Sequence, residues 1–216
     1  MDELDLKAKF LEFVGDASPP RKKPVVTTEF PIMGGNTRAD LAILGDEFVG
    51  VEIKSRKDSL SRLSKQVADY RAVFDRVVLV LDGKHLVQYL SIDFHFCDVW
   101  TINFDGQFRI FSQGEHHRSE PDVLFSLLTA AEREQAYRSE RFQKSDKREI
   151  FEYFFRQRYA RTSSEFWRKT RNRKIKRTDL EMLSRFSETR KEAAKLEAEK
   201  DERIRRWIEV QSSNEL

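Results

Sequence analysis

Cysteine is almost absent from this sequence of 216 residues, in which Cys97 is the only one. A single cysteine excludes an internal disulfide and any cysteine-rich zinc site, and it is typical of a reducing compartment. No apolar run approaches the length that spans a membrane. The N-terminus, Met1–Asp5, is acidic and lacks the apolar stretch of a secretory signal. The sequence therefore predicts a cytoplasmic protein without a membrane partner.

An excess of charge of one sign is also missing. The formal net charge is only +3, although 36% of the residues are charged. Any affinity for nucleic acid must therefore come from local clusters of basic residues. Apolar residues make up 39% of the chain, enough for one modest core. We expect a core domain over residues 1–115, followed by a helical, basic region with a long charged terminal helix over residues 116–216.

Two short apolar runs, residues 41–44 and 48–51, flank a Gly-Asp-Glu tripeptide, a pattern that predicts a β-hairpin. Antiparallel pairing would bring Asp40, at the start of the first strand, close to Glu52, at the end of the second. Lys54 is two residues beyond Glu52 and therefore points to the same face of the strand. Two carboxylates and an ammonium group then meet at the end of an apolar hairpin, where their charge requires compensation.

A divalent cation would compensate that charge. Mg²⁺ prefers oxygen ligands and is usually held by one or two carboxylates, while water and substrate phosphate fill its other positions. A lysine beside such an ion can orient or deprotonate an attacking water, and the ion stabilises charge on the phosphate. The alternative is a surface salt bridge between Glu52 and Lys54, which the Glu-x-Lys pattern alone does not exclude.

A helix predicted over residues 59–74 adds two polar side chains to this group. Apolar residues recur at helical spacing from Leu60 to Phe74. Gln66 and Tyr70 are four residues apart and therefore share one face of that helix. The helix directly follows the strand that carries the Glu-x-Lys pair, so we expect both side chains to reach the carboxylates.

At these positions the sequence resembles a known superfamily. In their order and spacing, Arg38-Ala39-Asp40, Glu52-Ile53-Lys54-Ser55 and Gln66-x-x-x-Tyr70 resemble the PD-(D/E)XK nucleases, specifically the RecB-like branch that includes lambda-type exonucleases. With Asp58-Ser-Leu-x-Arg-Leu added, the chain is similar to a family of small stand-alone bacterial proteins of this superfamily. The resemblance covers residues 27–81. It implies an α/β fold with a mixed central sheet flanked by helices and metal-dependent phosphodiester cleavage. We expect a helical C-terminal extension beyond that core.

The resemblance also implies a set of metal ligands. Asp40, Glu52 and the backbone carbonyl of Ile53 would hold Mg²⁺ or Mn²⁺. Family members carry an acidic residue on the first helix that reaches the metal, and Glu3 fits that position best, where it could bridge to a second ion. Glu3 fits equally well as a residue that complements the helix dipole. Glu29, in the first predicted strand, is an alternative ligand, or a residue that lines the cleft or faces solvent.

The same resemblance implies catalytic roles. Lys54 would activate or position the attacking water, and Gln66 would orient the water or the phosphate. Tyr70 would brace that face of the site or contact the neighbouring strand. Together with Asp40 and Glu52, these three residues form the predicted catalytic set.

The most basic stretch spans residues 156–177, where lysine and arginine far outnumber the single acid, Glu165. Its interleaved aromatics, Phe166 and Trp167, suit phosphate contacts combined with base stacking. The alternative is a solvated basic helix face whose two aromatics belong to the core. Arg38 could also touch substrate phosphate, or pair with its neighbouring carboxylate. We refer to the predicted nucleic-acid-binding residues of the stretch as the basic cluster: Arg168, Lys169, Arg171, Arg173, Lys174, Lys176 and Arg177.

Helices are predicted over residues 121–137 and 146–161. A long charged helix is predicted over residues 178–210, which would be a solvated extension or a weak homo-oligomerisation arm.

The leading hypothesis is a metal-dependent nuclease that cleaves nucleic acid, with DNA expected in preference to RNA. The competing hypothesis is a catalytically inactive nucleic-acid-binding or scaffold protein on the same fold. A third is an interaction partner that acts through the charged C-terminal helix.

Overall fold

A computed structural model describes residues 1–32, 37–90, 95–102 and 106–184. Within these ranges the strands form one six-stranded sheet. The strands are β1 (Val25–Ile32), β2 (Thr37–Leu44), β3 (Phe48–Lys54), β4 (Arg76–Asp82), β5 (Cys97–Ile102) and β6 (Phe108–Ser112).

Helices flank this sheet. The α-helices of the described ranges are α1 (Glu3–Ala17), α2 (Leu63–Val73), α3 (Leu86–Tyr89), α4 (Pro121–Ser126), α5 (Ala130–Arg138) and α6 (Lys147–Thr170). Short 3₁₀ segments are formed by Gly83–His85, Glu140–Phe142 and Arg177–Leu183. Among the helices that the structure describes, none has both the length and the apolar character needed to cross a membrane.

The strands follow one another across the sheet in chain order. β1, β2 and β3 form an antiparallel meander, β4 and β5 continue in parallel to β3, and β6 closes the far edge antiparallel to β5. The crossover from β3 to its parallel neighbour β4 is made by α2, as parallel pairing requires. The predicted α/β class, with a mixed central sheet flanked by helices, is therefore confirmed.

Each face of the sheet has its own apolar cluster. One face packs against α2, α4 and the first half of α6, and the other packs against α1, the end of α6 and the segment Arg177–Leu183. The long α6 passes over the β1 edge to reach both faces. There the Ser163 hydroxyl accepts the Val26 N–H at 3.0 Å and donates to the Pro24 carbonyl at 3.2 Å. Residues from both sides of the boundary predicted at residue 115 thus contribute to both clusters.

Local signals explain the elements that carry the site. The Asp2 side chain accepts a hydrogen bond from the Asp5 N–H at 3.1 Å, and the Asp5 side chain accepts one from the Asp2 N–H at 3.3 Å. This capping box starts α1. In β3, only glycine fits at Gly50, because a Cβ there would overlap the ring of Phe74. This close approach lets α2 end directly against the hairpin.

A buried ion pair fastens α6 to the sheet. Asp75 accepts the N–H groups of Phe48 and Ser119, each at 2.8 Å, and Arg148 Nη1 donates to it at 3.1 Å. The two charged side chains are only 5% and 7% exposed. Burial acts to raise the pKa of Asp75, but Arg148 and the two backbone donors outweigh it and hold that pKa below its usual value.

The single helix predicted over residues 121–137 is wrong, because the chain breaks between α4 and α5. Thr129 accepts the Glu132 N–H at 3.2 Å and Glu132 accepts the Thr129 N–H at 2.8 Å. This capping box starts a new helix inside a run whose apolar spacing alone suggested continuity. The helix predicted over residues 146–161 continues to Thr170.

The long helix predicted over residues 178–210 is wrong at its start. Arg177–Leu183 is a 3₁₀ segment, in which Leu180 and Leu183 are buried. The chain then pairs Ser184 with Thr28 in a parallel bridge beside β1. The remainder of the predicted helix, residues 185–216, lies outside the described residues.

Candidate active site

Asp40 and Glu52 come together at the open end of the β2–β3 hairpin. Leu41 pairs with Val51, so the next residues outward on the two strands are Asp40 and Glu52. The Ile53 N–H donates to Asp40 Oδ2 at 2.7 Å, which fixes the Asp40 carboxylate against β3. The hairpin therefore brings together the two carboxylates that the sequence pattern expected to meet.

The Glu52 carboxylate is the centre of a hydrogen-bonded group. Its side chain is only 3% exposed. Lys54 Nζ and Gln66 Nε2 donate to Glu52 Oε1 at 2.6 and 2.7 Å. The Tyr70 hydroxyl donates to Glu52 Oε2 at 2.5 Å. All three of the predicted partners from β3 and α2 thus contact one buried carboxylate.

Tyr70 links the two carboxylates. Its hydroxyl donates to Glu52 and accepts the backbone N–H of Asp40 at 3.2 Å. The residue is fully buried. Burial, together with the negative charges of Glu52 and Asp40, raises the pKa of Tyr70 well above its usual value. Tyr70 therefore remains a neutral hydrogen-bonding residue that holds the strands in place.

Gln66 leaves one buried polar atom without a partner. Its Nε2 binds Glu52, whereas its Oε1 is buried and accepts no hydrogen bond from the described residues. A tight turn presents this helix to the site, because Asp58 Oδ2 accepts both the N–H and the hydroxyl of Ser55 at 2.7 and 2.6 Å. A buried acceptor without a donor indicates room for a water or a ligand that can donate.

The pKa of the Asp40 carboxyl is strongly perturbed. Burial, and then the nearby negative charge of Glu52, raise the pKa of Asp40 to about 8 from its ordinary value of 3.8. Lys7 and the Ile53 N–H act in the opposite direction but do not compensate. The site therefore holds more carboxylate groups than its own cations can keep ionised at neutral pH.

A lysine that the sequence analysis did not identify lies beside Asp40. Lys7 Nζ, from α1, is 3.2 Å from Glu3 Oε1, 3.3 Å from Glu29 Oε1 and 3.7 Å from Asp40 Oδ1. Its side chain is only 3% exposed. Burial lowers the pKa of Lys7, but the three carboxylates outweigh that effect and raise the pKa above its usual value. Lys7 therefore remains an ammonium group.

Glu29 reaches this group from an unusual backbone conformation. Its neighbours pair as Thr28 with Leu41 and Phe30 with Ala39, so Glu29 lies opposite Asp40 in the β1–β2 register. Its φ of +53° is in the left-handed region, which costs a residue with a Cβ about 1–2 kcal/mol. The side chain is half-exposed and contacts Lys7.

Arg38 does not form the salt bridge with Asp40 that was the alternative to phosphate contact. Its carbonyl oxygen lies 3.3 Å from the Tyr70 hydroxyl. Its side chain is exposed and forms no ion pair with any other described residue. The guanidinium is therefore available next to the carboxylates.

The basic cluster divides into paired and unpaired cations. Lys169 contacts Glu165 at 2.6 Å, Arg173 contacts Asp179 at 2.7 Å, and Arg177 contacts Asp2 and Asp5 at 2.7 and 2.6 Å. The Lys176 side chain is exposed, and the Lys176 backbone N–H donates to Asp179 Oδ2 at 2.8 Å. The exposed side chains without a hydrogen bond or ion pair in the described ranges are Arg168, Arg171 and Lys174.

The two aromatics of this stretch are core residues. Phe166 is fully buried and Trp167 is 9% exposed, packed in the cluster beneath α1. Trp167 Nε1 donates to the Pro24 carbonyl at 2.8 Å. The suggestion that they stack on nucleic-acid bases is therefore wrong, because their rings are already covered by the protein.

The unpaired cations surround a pocket of about 790 Å³ at the C-terminal ends of α1 and α6. Arg168, Arg171 and Lys174 line it, together with Arg21, whose exposed side chain likewise has no ion pair in the described ranges. Gly15, at this end of α1, is about 18 Å from Glu3 at the helical rise of about 1.5 Å per residue. The basic pocket and the carboxylates are therefore separate sites at opposite ends of α1.

Comparison with known proteins places the chain in a family. A family model described as bacteriophage P4 protein cII matches residues 1–184. The chain belongs to the bacteriophage P4 cII family. No curated protein matches it. A solved structure, the SPO1766 protein of unknown function from Silicibacter pomeroyi, is 22% identical, covers 62% of this chain and 92% of its own, and superposes with a TM-score of 0.38. A similarity of that size supports no conclusion.

The cII family match spans both sites described above, because it begins before Glu3 and ends at Ser184. The family description names no activity, whereas the geometry of the site indicates which chemistry its residues can support. In this cII family member, a carboxylate pair braced by Tyr70 lies next to an ammonium donor, Lys54, and an unsatisfied amide oxygen, Gln66 Oε1. Such a group can bind a divalent cation and a phosphate.

Two features of the cII site were missed at the level of sequence. Lys7 follows Glu3 by four residues, the spacing at which opposite charges pair on a helix, and this signal could have identified it. Arg21 lies in a proline-rich, charged linker, where no periodicity marks its neighbours in space.

Proposed function

We propose that this cII family member is a metal-dependent nuclease with a site of the PD-(D/E)XK type, which cleaves DNA in preference to RNA. The observation that carries the proposal is the mutual contact of Asp40, Glu52, Lys54, Gln66 and Tyr70 at the open end of one hairpin. A surface salt bridge between Glu52 and Lys54 alone would not require two further donors from α2, nor would it be buried.

The charge of the site fits a divalent cation. More carboxylates than ammonium groups converge there, and the raised pKa of Asp40 indicates that the protein does not balance the excess. A bound Mg²⁺ or Mn²⁺ would remove that imbalance. The groups concerned are the carboxylates of Glu3, Glu29, Asp40 and Glu52 and the ammonium groups of Lys7 and Lys54.

Free lone pairs also support this fit. Glu52 accepts three hydrogen bonds, whereas a carboxylate offers about four acceptor positions. Asp40 Oδ2 accepts the Ile53 N–H, whereas the one described partner of Asp40 Oδ1 is Lys7, at the longer distance of 3.7 Å. Asp40 and Glu52 would hold the ion, with the carbonyl of Ile53 as the predicted third protein ligand. The ion supplies stabilisation of the charge that develops on the phosphate.

The neighbouring side chains would handle the water and the phosphate. Lys54 uses one N–H on Glu52 and has two more donors for a water or a phosphoryl oxygen. Gln66 Oε1 can accept a hydrogen bond from the attacking water and so orient the lone pair of that water. Tyr70 keeps the two carboxylates at a fixed separation and takes no part in proton transfer.

Nucleic acid would contact the protein at two places. Arg38 is exposed beside the carboxylates and has no ion pair with another described residue, so it is within reach of a phosphate near the site of cleavage. The basic pocket at the far end of α1 offers four cations that have no ion pair within the described part of the chain, and such cations would neutralise backbone phosphates without regard to sequence. A strand bound at both places would follow α1.

The proposal is tested by incubating the protein with linear DNA, circular DNA and RNA, each with Mg²⁺, Mn²⁺ or EDTA. We expect cleavage with metal and none with EDTA or in Asp40→Asn. Asp46→Asn is the matched control, because Asp46 is an exposed carboxylate in the turn at the opposite end of the same hairpin. If the wild-type protein is inactive under every condition, the proposed nuclease function is refuted.

A second candidate function is nucleic-acid binding without cleavage. It is favoured by the separation between the carboxylates and the unpaired cations of the basic pocket, since the pocket can bind phosphate without the hairpin site. Binding to nucleic acid that persists in EDTA and in Asp40→Asn, together with absent cleavage, would assign the protein to this class.

A further inference from the structure

Lys7 occupies the middle of a carboxylate cage. Glu3, Glu29 and Asp40 each offer an oxygen, and these three oxygens lie within 4.8 Å of one another. That spacing suits ligands of a metal ion, yet Lys7 Nζ contacts all three at 3.2, 3.3 and 3.7 Å. The protein's own ammonium group therefore fills the position that a cation would take.

Lys7 cannot easily leave this position. Its side chain is 3% exposed, and its neighbours Leu6 and Ala8 on α1 are buried in the cluster beneath the sheet. Withdrawing the ammonium group would also leave the half-exposed carboxylates of Glu3 and Glu29, and the largely buried carboxyl group of Asp40, without their cation. The cage is thus occupied by the protein's own cation.

We propose that Lys7 takes the place of a second divalent ion, so that the site binds a single metal ion, at Asp40 and Glu52. This inference rests on the proposed nuclease function. Glu3 and Glu29 are then positioning residues that hold Lys7, and neither is a metal ligand. The expectation that the acidic residue of the first helix reaches the metal does not apply to this chain.

Asp40 is the residue shared by the two positions. Its Oδ1 faces Lys7, while its Oδ2 is held against β3 by Ile53. Lys7 keeps a positive charge beside Asp40 before any ion binds. Because Lys7 occupies the cage, no second metal-binding equilibrium arises there, and activity should follow the saturation of one metal site.

The inference is tested by counting Mn²⁺ ions per chain with electron paramagnetic resonance and isothermal titration calorimetry. We expect one ion in the wild type and two in Lys7→Met, in which the cage is free. Lys9→Met, on the same helix, is the matched control and should keep one ion, because Lys9 Nζ contacts the Gly106 carbonyl and, among the described residues, no carboxylate. Metal counting reports on the cage itself and does not depend on cleavage.

A second pair of variants keeps the inference testable if Lys7→Met does not fold. Glu3→Gln and Glu29→Gln should each lower the Mn²⁺ affinity by less than about a hundredfold, the upper end of the loss expected for residues that support a metal ligand without binding the ion. A loss of roughly a hundredfold or more in either variant would make that residue a ligand and overturn the inference.

The remaining outcomes separate this inference from the proposed function. Two ions in the wild type, or one ion in folded Lys7→Met, would overturn the proposed role of Lys7. Neither result would contradict the proposed nuclease function. No ion bound to the wild type would overturn both, since the Asp40–Glu52 site would then not bind metal.

Discussion

The raised pKa of Asp40 makes a prediction about stability in the absence of metal. The carboxyl titrates near 8 in the folded protein and near 3.8 when unfolded. Between these values the folded state binds the proton and the unfolded state does not, so the free energy of unfolding falls as the pH rises. A full proton difference gives a slope of about 1.4 kcal/mol per pH unit. Between pH 6 and 7.5 the wild type should therefore lose up to about 2 kcal/mol that Asp40→Asn does not lose.

The assay is urea denaturation in EDTA at several pH values between 6 and 7.5, with Asp40→Asn beside the wild type. The difference between the two curves isolates Asp40, because every other titratable group is common to both proteins. Mn²⁺ binds the ionised carboxylate, so it should raise the melting temperature of the wild type more at pH 7.5 than at pH 6. Parallel pH slopes for the two proteins in EDTA would refute the assignment of a buried, protonated Asp40.

Three further substitutions test the roles assigned above. Lys54→Ala should keep metal and nucleic-acid binding but lower the single-turnover rate of hydrolysis by roughly 10²-fold or more. Lys54→Arg should not restore that rate fully, because a guanidinium does not release its proton. A wild-type rate in Lys54→Ala would show that Lys54 has no role in the mechanism. Arg168→Glu combined with Arg171→Glu should weaken binding to nucleic acid of every sequence. It should also reduce the slope of the log binding constant against the log salt concentration by about one per lost contact. Arg173→Glu should change that slope less, because Arg173 is already paired with Asp179. Arg148→Met should lower the free energy of unfolding by about 3–5 kcal/mol in urea denaturation, because it leaves the buried carboxylate of Asp75 without its ion pair. A loss below about 1 kcal/mol, roughly the contribution of an exposed ion pair, would contradict that account.

The hairpin and its carboxylates were predictable because each depends on short-range rules. Alternation along a strand and antiparallel pairing place Asp40 opposite Glu52, and helical spacing places Gln66 and Tyr70 on one face. These contacts need only the next element along the chain. The structure brings the five predicted catalytic residues together for the same reason.

Features that depend on distant segments were not predictable. The break before α5 results from the Thr129 capping box, which competes with an apolar spacing that favours one helix. Phe166 and Trp167 are in the core because α6 passes over the β1 edge, a path that no local pattern in the sequence marks. The contact between Lys7 and Glu29 joins residues that are far apart in sequence, and it requires a left-handed backbone at Glu29 that no local rule favours.

The open end of the hairpin concentrates features that do not stabilise the fold. Glu29 adopts a conformation that costs about 1–2 kcal/mol. Asp40 opposes folding as the pH rises, and buried ion pairs such as Glu52 with Lys54 can often be replaced by apolar residues without loss of stability. Elsewhere β3 and β4 are regular and apolar, and a stable sheet could be built without any of these charges. Because these costs converge at one place and exceed what packing requires, they support the proposal that the site is kept for its chemistry.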